Sequence, residues 1–230
     1  MSGIRQYIRN LEYSLPVPLQ RPLIRAVRES PYVLDYDASH SIFIHIPKTA
    51  GTSIGEAIYG HWVGHVPLSR FAAFDDRKFK SFFKFSFVRN PWDRLLSAFA
   101  HLKGGGEPLA RREALWSERY LGNIESFEQF VLALRDGEFR SVIVGDVHFR
   151  PQLDWITLPG SERIAVDYLG RFESLEEDYS QVTHRLGIAG NLPMRKQTKR
   201  PRYRDAYSAE MSKIVEEIFR NDIERLGYDF

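Results

Sequence analysis

The chain has 230 residues, of which 32 are Lys or Arg and 30 are Asp or Glu, so its formal net charge is +2. With 43% hydrophobic and 27% charged residues, the composition is that of an ordinary globular protein and argues against a disordered, collagen-like or coiled-coil chain. The chain contains no cysteine, which excludes disulfide scaffolds, thiolate zinc sites and cysteine nucleophiles. No apolar stretch approaches the roughly 20 residues that span a bilayer, and no apolar secretory segment follows the N-terminus. We therefore expect a soluble, cytoplasmic protein without a transmembrane segment.

Residues 1–40 are predicted to form an N-terminal arm, because basic residues outnumber acidic ones there and four prolines interrupt any long helix. The pattern favours an extension that packs on the surface. The basic excess leaves open an arm that contacts nucleic acid or a membrane. Residues 41–230 are predicted to form the main domain.

The main domain begins with two strand–loop–helix units. Residues 41–46 form a short apolar run that is typical of a buried strand, and a small-residue turn at 47–53 leads into a helical spacing from Ile54. Residues 82–88 form a second apolar strand. Asn90 can cap the helix that follows, which has proline at its first position.

Later segments continue this alternation. Capping residues at Ser126, Ser174 and Ser208 predict the starts of three further helices, and residues 163–169 are predicted to be another strand. Strands that alternate with helices favour an α/β fold, with a central parallel sheet flanked by helices and a P-loop-like strand–loop–helix nucleotide site.

The turn after the first strand has the features of an anion site. It connects a buried strand to a helix N-terminus, where unpaired backbone N–H groups and the helix dipole attract phosphate-like anions. Gly51 lets the backbone approach a ligand closely, and Lys48 adds a positive charge. The predicted binding residues are Lys48, Thr49, Ala50, Gly51, Thr52 and Ser53. Taken alone, the turn is also compatible with a plain strand–helix connection.

This turn is not a Walker A loop, because Lys48 precedes its only glycine. After the second strand the chain has Arg89, where a magnesium-dependent nucleotidase would have a carboxylate. The pattern therefore favours an anionic ligand that is held without an obligatory metal. Ser97 follows Arg89 by eight residues and is predicted to complete a second phosphate site, although alone it is compatible with a solvated helix position.

Two motifs carry a family resemblance. HIPKTAGTS at 45–53 and FVRNPWDRLLS at 87–97 resemble the two cofactor motifs of the sulfotransferases, in the branch of the Golgi heparan- and chondroitin-type carbohydrate enzymes. The resemblance implies that 3′-phosphoadenosine 5′-phosphosulfate (PAPS) is the donor, with Lys48 on the 5′-phosphosulfate and with Arg89 and Ser97 on the 3′-phosphate. Since the anchor and cysteines of the Golgi enzymes are absent here, we expect a soluble bacterial member.

The resemblance also points to a catalytic base. Gly64-His65-Val66 lies between the two motifs, where the uronyl 2-O-sulfotransferase branch has its catalytic histidine. A sugar hydroxyl needs a general base near neutral pH, and histidine is the usual one. His65 and Lys48 are therefore the predicted catalytic residues.

Weaker similarities extend over residues 41–230. The segment 148–152 resembles chondroitin-type enzymes, as do 169–178 and the C-terminal residues 226–230. From the first of these segments, the predicted acceptor contacts are His148, Arg150 and Gln152.

Residues 179–204 contain no acidic residue and end in a cluster of cations. Similar sulfotransferases have a basic loop near this position that closes on the nucleotide, so Lys196 and Arg200 are predicted to bind the cofactor. A solvated basic loop and a cradle for an anionic acceptor are alternatives that the sequence leaves open.

Together these patterns predict a PAPS-dependent sulfotransferase that transfers a sulfuryl group in line to a hydroxyl of a carbohydrate or glycolipid acceptor. The predicted reaction requires no metal, and no nucleic-acid partner is expected. Peripheral membrane contact, the oligomeric state and the identity of the acceptor are left open. The alternatives are a P-loop-like kinase, which would need magnesium and a nucleoside triphosphate, and a non-catalytic polyanion-binding protein.

Overall fold

The structure, a computed structural model, describes residues 15–20, 22, 30–106, 110–188, 192 and 202–230. The predicted cofactor residues Lys196 and Arg200 lie outside these described residues, as does most of the predicted arm before residue 30. In the described part of the chain, no helix has both the length and the apolar character needed to cross a membrane.

The chain divides into two compact units. Unit 1 consists of residues 1–88 and 152–194, and unit 2 of residues 89–151 and 195–230. In chain order the elements are α1 (Leu34–Ser39), β1 (Ser41–Ile44), α2 (Gly51–Tyr59), α3 (Leu68–Phe74), α4 (Asp76–Ser81), β2 (Phe83–Val88), α5 (Pro91–Lys103), α6 (Arg111–Leu121), α7 (Phe127–Ala133), α8 (Gly137–Gly145), α9 (Leu153–Ile156), β3 (Tyr168–Arg171), α10 (Leu175–Leu186), α11 (Ala209–Ile218) and α12 (Arg220–Leu226). Short 3₁₀ turns lie at Phe172–Ser174 and Tyr203–Ala206.

Unit 1 contains a three-stranded parallel sheet in the order β1-β2-β3. Phe85 in the central strand is opposite Phe43 on one side and Tyr168 on the other. Strands β1 and β2 are almost entirely buried, whereas β3 is half-buried. Helices of the same unit pack on the sheet, with α1 against β1 and α10 against β3. The predicted α/β fold with a parallel sheet flanked by helices is confirmed.

The third strand lies later in the chain than predicted. The prediction placed it at residues 163–169, whereas β3 spans Tyr168–Arg171. Ile164 instead forms an isolated antiparallel bridge with Thr157. Gly170 explains the position of the strand, because a Cβ atom there would lie 2.6 Å from the Phe87 ring in β2. Such close approach of two strands depends on a tertiary contact that hydrophobic periodicity does not reveal.

The described end of the predicted arm packs on unit 1. The Tyr36 side chain is buried, and its hydroxyl donates a hydrogen bond to the Phe43 carbonyl oxygen in β1 (3.0 Å). Tyr32 is also buried, and its ring meets the Phe71 ring edge-on. Residues 30–40 therefore contribute to the hydrophobic core of unit 1.

Unit 2 is helical and has its own core. The predicted starts of its helices are confirmed at Asn90, which accepts from the Trp92 N–H, at Ser126, which accepts from the Gln129 N–H, and at Ser208. One apolar face of each helix is buried in this core. Its largest members are Trp92, Phe99, Phe130, Phe149 and Phe219.

The predicted helix start at Ser174 is confirmed, but the capping chemistry differs from the prediction. The Ser174 hydroxyl donates to Asp178 Oδ2 (2.7 Å) instead of capping the backbone of α10. The predicted helix after Ser208 is present as α11 and ends at its C-cap residue Phe219, which has φ −108° and ψ 24°. A further helix that was not predicted, α12, follows it directly, and Phe219 is buried in the core of unit 2.

Candidate active site

The turn between β1 and α2 has a constrained backbone. Lys48 and Ala50 have left-handed φ angles of 69° and 67°, which side chains with a Cβ rarely adopt. The buried Thr49 hydroxyl closes the turn by donating to the Ile46 carbonyl oxygen (2.9 Å). Helix α2 begins at Gly51, earlier than the predicted Ile54, and its N-cap Ala50 supplies no side-chain acceptor. The turn therefore ends in a helix N-terminus that its own cap residue does not neutralise.

Gly51 is required by the packing of a buried histidine. The His45 side chain is 2% exposed, and its Nδ1–H donates to the Val63 carbonyl oxygen (2.7 Å). A Cβ atom on residue 51 would lie 1.9 Å from His45 Cδ2. The glycine thus serves close packing within the protein, in addition to the predicted approach to a ligand. His45 is therefore a hydrogen-bonded core residue.

His65 lies beside this turn. Its Nδ1 is 2.9 Å from the His45 carbonyl oxygen, and the two imidazole rings are 4.1 Å apart between centroids. Because a carbonyl can only accept, Nδ1 carries the proton and Nε2 carries the lone pair in the neutral ring. The rings of Trp62 and Trp155 meet the imidazole edge-on at 5.8 and 6.2 Å. This arrangement fixes both the tautomer and the orientation of a half-buried histidine.

In unit 2, Arg89 is held by an aspartate that the sequence analysis did not identify. Arg89 Nε and Nη2 both donate to Asp93 Oδ2, at 2.8 and 2.6 Å. The arginine is 3% exposed, so its charge is largely removed from water. The i, i+4 spacing of opposite charges at a helix start was the signal available in the sequence. Asp93 fixes the direction of the guanidinium group.

Ser97 lies on a buried polar face of α5. It is 7% exposed, and Arg94 on the same face is 2% exposed. Arg94 Nη2 donates to the carbonyl oxygens of His148 (3.1 Å) and Arg150 (2.9 Å). The structure therefore excludes the solvated position that the sequence left open for Ser97.

The C-terminal residues support the start of α5. Asn90 Nδ2 donates to the Asp229 carbonyl oxygen (2.8 Å) and to the Tyr203 hydroxyl (3.2 Å). The Phe230 ring packs against the Trp92 ring, with 5.5 Å between centroids. These contacts give the C-terminal pattern a structural role, because they position the helix that follows Arg89.

The three predicted acceptor residues are placed differently. His148 and Arg150 belong to unit 2, and Gln152 belongs to unit 1. His148 is 4% exposed, and Gln152 has no exposed surface. Their contact with an acceptor stays a prediction.

Asp178 organises the segment at 169–178. Partial burial would raise the pKa of its carboxyl group, but hydrogen bonds from Ser174, Tyr168 and the Arg171 N–H lower the pKa below its ordinary value. The two side-chain hydroxyls lie 2.7 and 2.6 Å from the carboxylate, and the Arg171 nitrogen lies 2.8 Å from it. This network joins the end of β3 to α10, which indicates a structural role for the segment.

Comparison with known proteins agrees with these observations. The sequence model described as "Sulfotransferase family" matches residues 64–229, a range that includes His65 and the motif from Arg89 to Ser97. Over 148 residues the chain is 28% identical to carbohydrate sulfotransferase 11 of Rattus norvegicus and to that of Mus musculus. These alignments cover 59% of this chain and 41% of each relative, so the matched part spans less than half of the relatives' length. No solved structure matches significantly. Because the family model covers most of the chain, this protein belongs to the sulfotransferase family.

Proposed function

We propose that this protein transfers a sulfuryl group from PAPS to a hydroxyl of a carbohydrate acceptor, with His65 as the general base. The observation that carries the proposal is the hydrogen bond from His65 Nδ1 to the His45 carbonyl oxygen (2.9 Å). It orients the imidazole next to the turn that carries Lys48. The relatives named as carbohydrate sulfotransferases support the acceptor class.

The turn at Lys48 suits the leaving group of this reaction. Sulfuryl transfer resembles phosphoryl transfer, in which catalysis depends mainly on positioning and on stabilisation of charge. As the S–O bond to the nucleotide breaks, negative charge develops on the 5′-phosphate. The Lys48 ammonium and the N–H groups at the start of α2 are donors of the kind that stabilise such charge.

Arg89 and Ser97 suit the 3′-phosphate of the donor. Asp93 fixes the plane of the Arg89 guanidinium, and guanidinium groups match phosphate geometry better than ammonium groups do. The Ser97 hydroxyl adds a neutral hydrogen-bond donor on a buried helix face. We thus propose the turn at Lys48 for the 5′ end of the nucleotide, and Arg89 with Ser97 for its 3′-phosphate.

His65 is the proposed base that takes the proton from the acceptor hydroxyl. The acceptor oxygen forms the new O–S bond while its proton moves to Nε2 of His65, and the bond between sulfur and the nucleotide phosphate oxygen breaks. A correctly positioned general base provides about 10²–10⁴-fold acceleration for such a transfer. Removal of the His65 imidazole should therefore lower turnover by a factor in this range.

Nucleotide binding is tested first, by thermal unfolding with adenosine 3′,5′-bisphosphate. At 100 times the dissociation constant, a ligand stabilises the folded state by about 2.7 kcal/mol, which corresponds to a rise of roughly 5–10 °C for a chain of this length. Adenosine 5′-monophosphate, which lacks the 3′-phosphate, is the control and should give a smaller rise. Equal rises in unfolding temperature with both nucleotides, or no rise with adenosine 3′,5′-bisphosphate at saturation, would contradict the proposed donor site.

Catalysis is tested by transfer of radiolabelled sulfate from PAPS to a panel of acidic and neutral glycans. His65→Ala should lower turnover by about 10²-fold or more while leaving nucleotide affinity unchanged. His61→Ala is the matched control, because His61 is exposed and pairs with Asp35 (2.9 Å). Near wild-type turnover in His65→Ala would remove His65 from this role.

The same assay separates the alternatives. A kinase would instead transfer phosphate from ATP with magnesium. A polyanion-binding protein would bind the glycans with an affinity that falls steeply with salt, and it would transfer no group.

A further inference from the structure

Unit 2 brings two histidines and two carboxylates together outside the two proposed cofactor motifs, with His101 one helical turn beyond Ser97. His101 is near the end of α5, Glu113 is in the first turn of α6, and His148 lies in the segment after α8. His101 Nε2 is 3.3 Å from Glu113 Oε2, and His148 Nε2 is 3.6 Å from Glu113 Oε1. One ligand atom from each of these three residues lies within 4.8 Å of the other two.

These distances match the requirements of a metal centre. Zinc binds imidazole nitrogen and carboxylate oxygen at about 2.0–2.2 Å, so neighbouring ligands of a tetrahedral ion lie about 3.3 Å apart. The two His–Glu distances of 3.3 and 3.6 Å are close to this value. The ligand nitrogens of the two histidines lie within 4.8 Å of each other, so binding one ion would draw them closer together. Two imidazoles and a carboxylate also form a donor set that suits divalent transition metals better than magnesium or calcium.

Asp146 supplies the outer contact that metal-bound histidines commonly have. Its Oδ1 is 3.1 Å from His148 Nδ1 and also accepts from the His148 backbone N–H (2.9 Å). A carboxylate on Nδ1 holds the proton there, which leaves Nε2 as the nitrogen that carries the lone pair. Nε2 is the nitrogen on the Glu113 side.

The surrounding structure holds the three ligands in place. The buried Ser117 hydroxyl donates to the Leu102 carbonyl oxygen (2.7 Å) and fixes α6 against the end of α5. Gly106, with φ 74°, packs directly on the carboxylate, since a Cβ atom there would lie 2.4 Å from Glu113 Oε2. The side chains of His148, His101 and Glu113 are 5%, 17% and 24% exposed. The cluster is therefore ordered by packing and accessible to an ion at its edge.

We propose that His101, Glu113 and His148 bind a divalent transition-metal ion, with zinc as the best match and a water molecule as the fourth ligand. The ion joins α5, α6 and the segment at 146–150 and so stabilises unit 2. It takes no part in the transfer of the sulfuryl group. The proposal is independent of the proposed function, and it adds a metal to a sequence whose patterns predicted none.

The first test is a titration of tag-free, chelator-treated protein with cobalt(II), which reports its coordination through visible absorption. We expect saturation at one ion per chain, intense bands typical of a tetrahedral site, and displacement by zinc but not by magnesium. Zinc should also raise the unfolding temperature. If stoichiometric cobalt gives no bands and zinc no stabilisation, the cluster is a polar network that binds no metal and the proposal is wrong.

Variants then assign the ligands. Glu113→Gln keeps the shape of the side chain and should weaken cobalt binding by more than about 100-fold, whereas loss of an outer contact in Asp146→Asn should cost about 10–100-fold. His101→Ala should also abolish the zinc-dependent rise in unfolding temperature. His184→Ala, which removes an exposed histidine of unit 1, is the control and should behave as wild type.

Unchanged cobalt affinity in both Glu113→Gln and His101→Ala would overturn the assignment. Stabilisation by adenosine 3′,5′-bisphosphate is measured on the same samples. Because the nucleotide motifs do not include these residues, retained stabilisation shows that the variants are folded. A failure of this inference is thereby distinguished from a failure of the proposed function.

Discussion

The two proposed cofactor motifs follow neighbouring parallel strands, but they are built in different ways. The turn after β1 is shaped by its backbone, with left-handed residues at Lys48 and Ala50 and a glycine packed on His45. The segment after β2 relies on side chains, since Asp93 orients Arg89 and Asn90 caps the next helix. Substitutions that add atoms should therefore disrupt the first motif, whereas substitutions that remove hydrogen-bonding groups should disrupt the second.

This difference has a physical basis. Backbone N–H groups are fixed once the turn is folded, so they stabilise charge without the entropy cost of ordering a long side chain. An arginine has to be held by a partner before it is equally well placed, and Asp93 supplies that partner. The following variants test the contrast.

The largest expected effect is at Lys48. Lys48→Ala should lower sulfate transfer by about 10²-fold, as removal of one donor to a developing oxyanion does. Alanine occupies the left-handed conformation at a cost similar to that of lysine, so the turn should keep its shape. Steady-state kinetics with PAPS measure the loss, and Lys80→Ala, which alters an exposed Lys80–Asp76 pair, is the control. Unchanged kinetics would exclude Lys48 from catalysis.

Gly51→Ala tests the packing of the first motif. The new Cβ atom would lie 1.9 Å from His45 Cδ2, so either the turn or the histidine has to move. We expect a loss of about 1–3 kcal/mol in the free energy of unfolding, together with weaker nucleotide binding. Gly64→Ala is the matched control, because its nearest neighbour would be Trp62 at 3.8 Å. Denaturant unfolding measures both, and equal stability of the two variants would contradict the packing argument.

Arg89→Lys tests the second motif through its planar side chain. Lysine cannot reproduce the two N–H groups that meet Asp93 Oδ2, and we expect about a tenfold loss of affinity for adenosine 3′,5′-bisphosphate. Asp93→Asn should cause a smaller loss, because the arginine remains. Calorimetry with adenosine 5′-monophosphate provides the control. An equal loss for both nucleotides would argue against a contact to the 3′-phosphate.

The smallest effect concerns Asp178, which lies outside both motifs. Its pKa is lowered in the folded protein, so it stabilises the fold above the ordinary aspartate pKa and loses this contribution as the pH falls through its folded value. Since the carboxylate is half-buried and still reached by solvent, Asp178→Asn should cost about 1 kcal/mol at pH 7. The difference from wild type should shrink at pH 3. Urea unfolding at both pH values measures it, with exposed Glu177→Gln as the control; a pH-independent difference would contradict the mechanism.

Residues 41–103 contain elements that the local sequence pattern predicts correctly. Their apolar runs, the small-residue turn and the cap at Asn90 predicted two strand–turn–helix units, and β1, α2, β2 and α5 are present. These signals are local, because strand and helix periodicity and capping chemistry act within a few residues. The same residues predicted where the motifs of a sulfotransferase lie.

Other features depend on residues far apart in the chain. The shift of β3 to Tyr168 follows from the contact of Gly170 with Phe87. Local propensity is a weak guide where such packing competes with it.

The sequence by itself determined the α/β class, the two motifs and the histidine between them. Only the tertiary structure decided that His65 donates to the His45 carbonyl, and that His101, Glu113 and His148 form one cluster. The reason is that hydrogen bonds and ligand sets join atoms by distance in space, and separations of 20 or 47 residues leave no local pattern to indicate them.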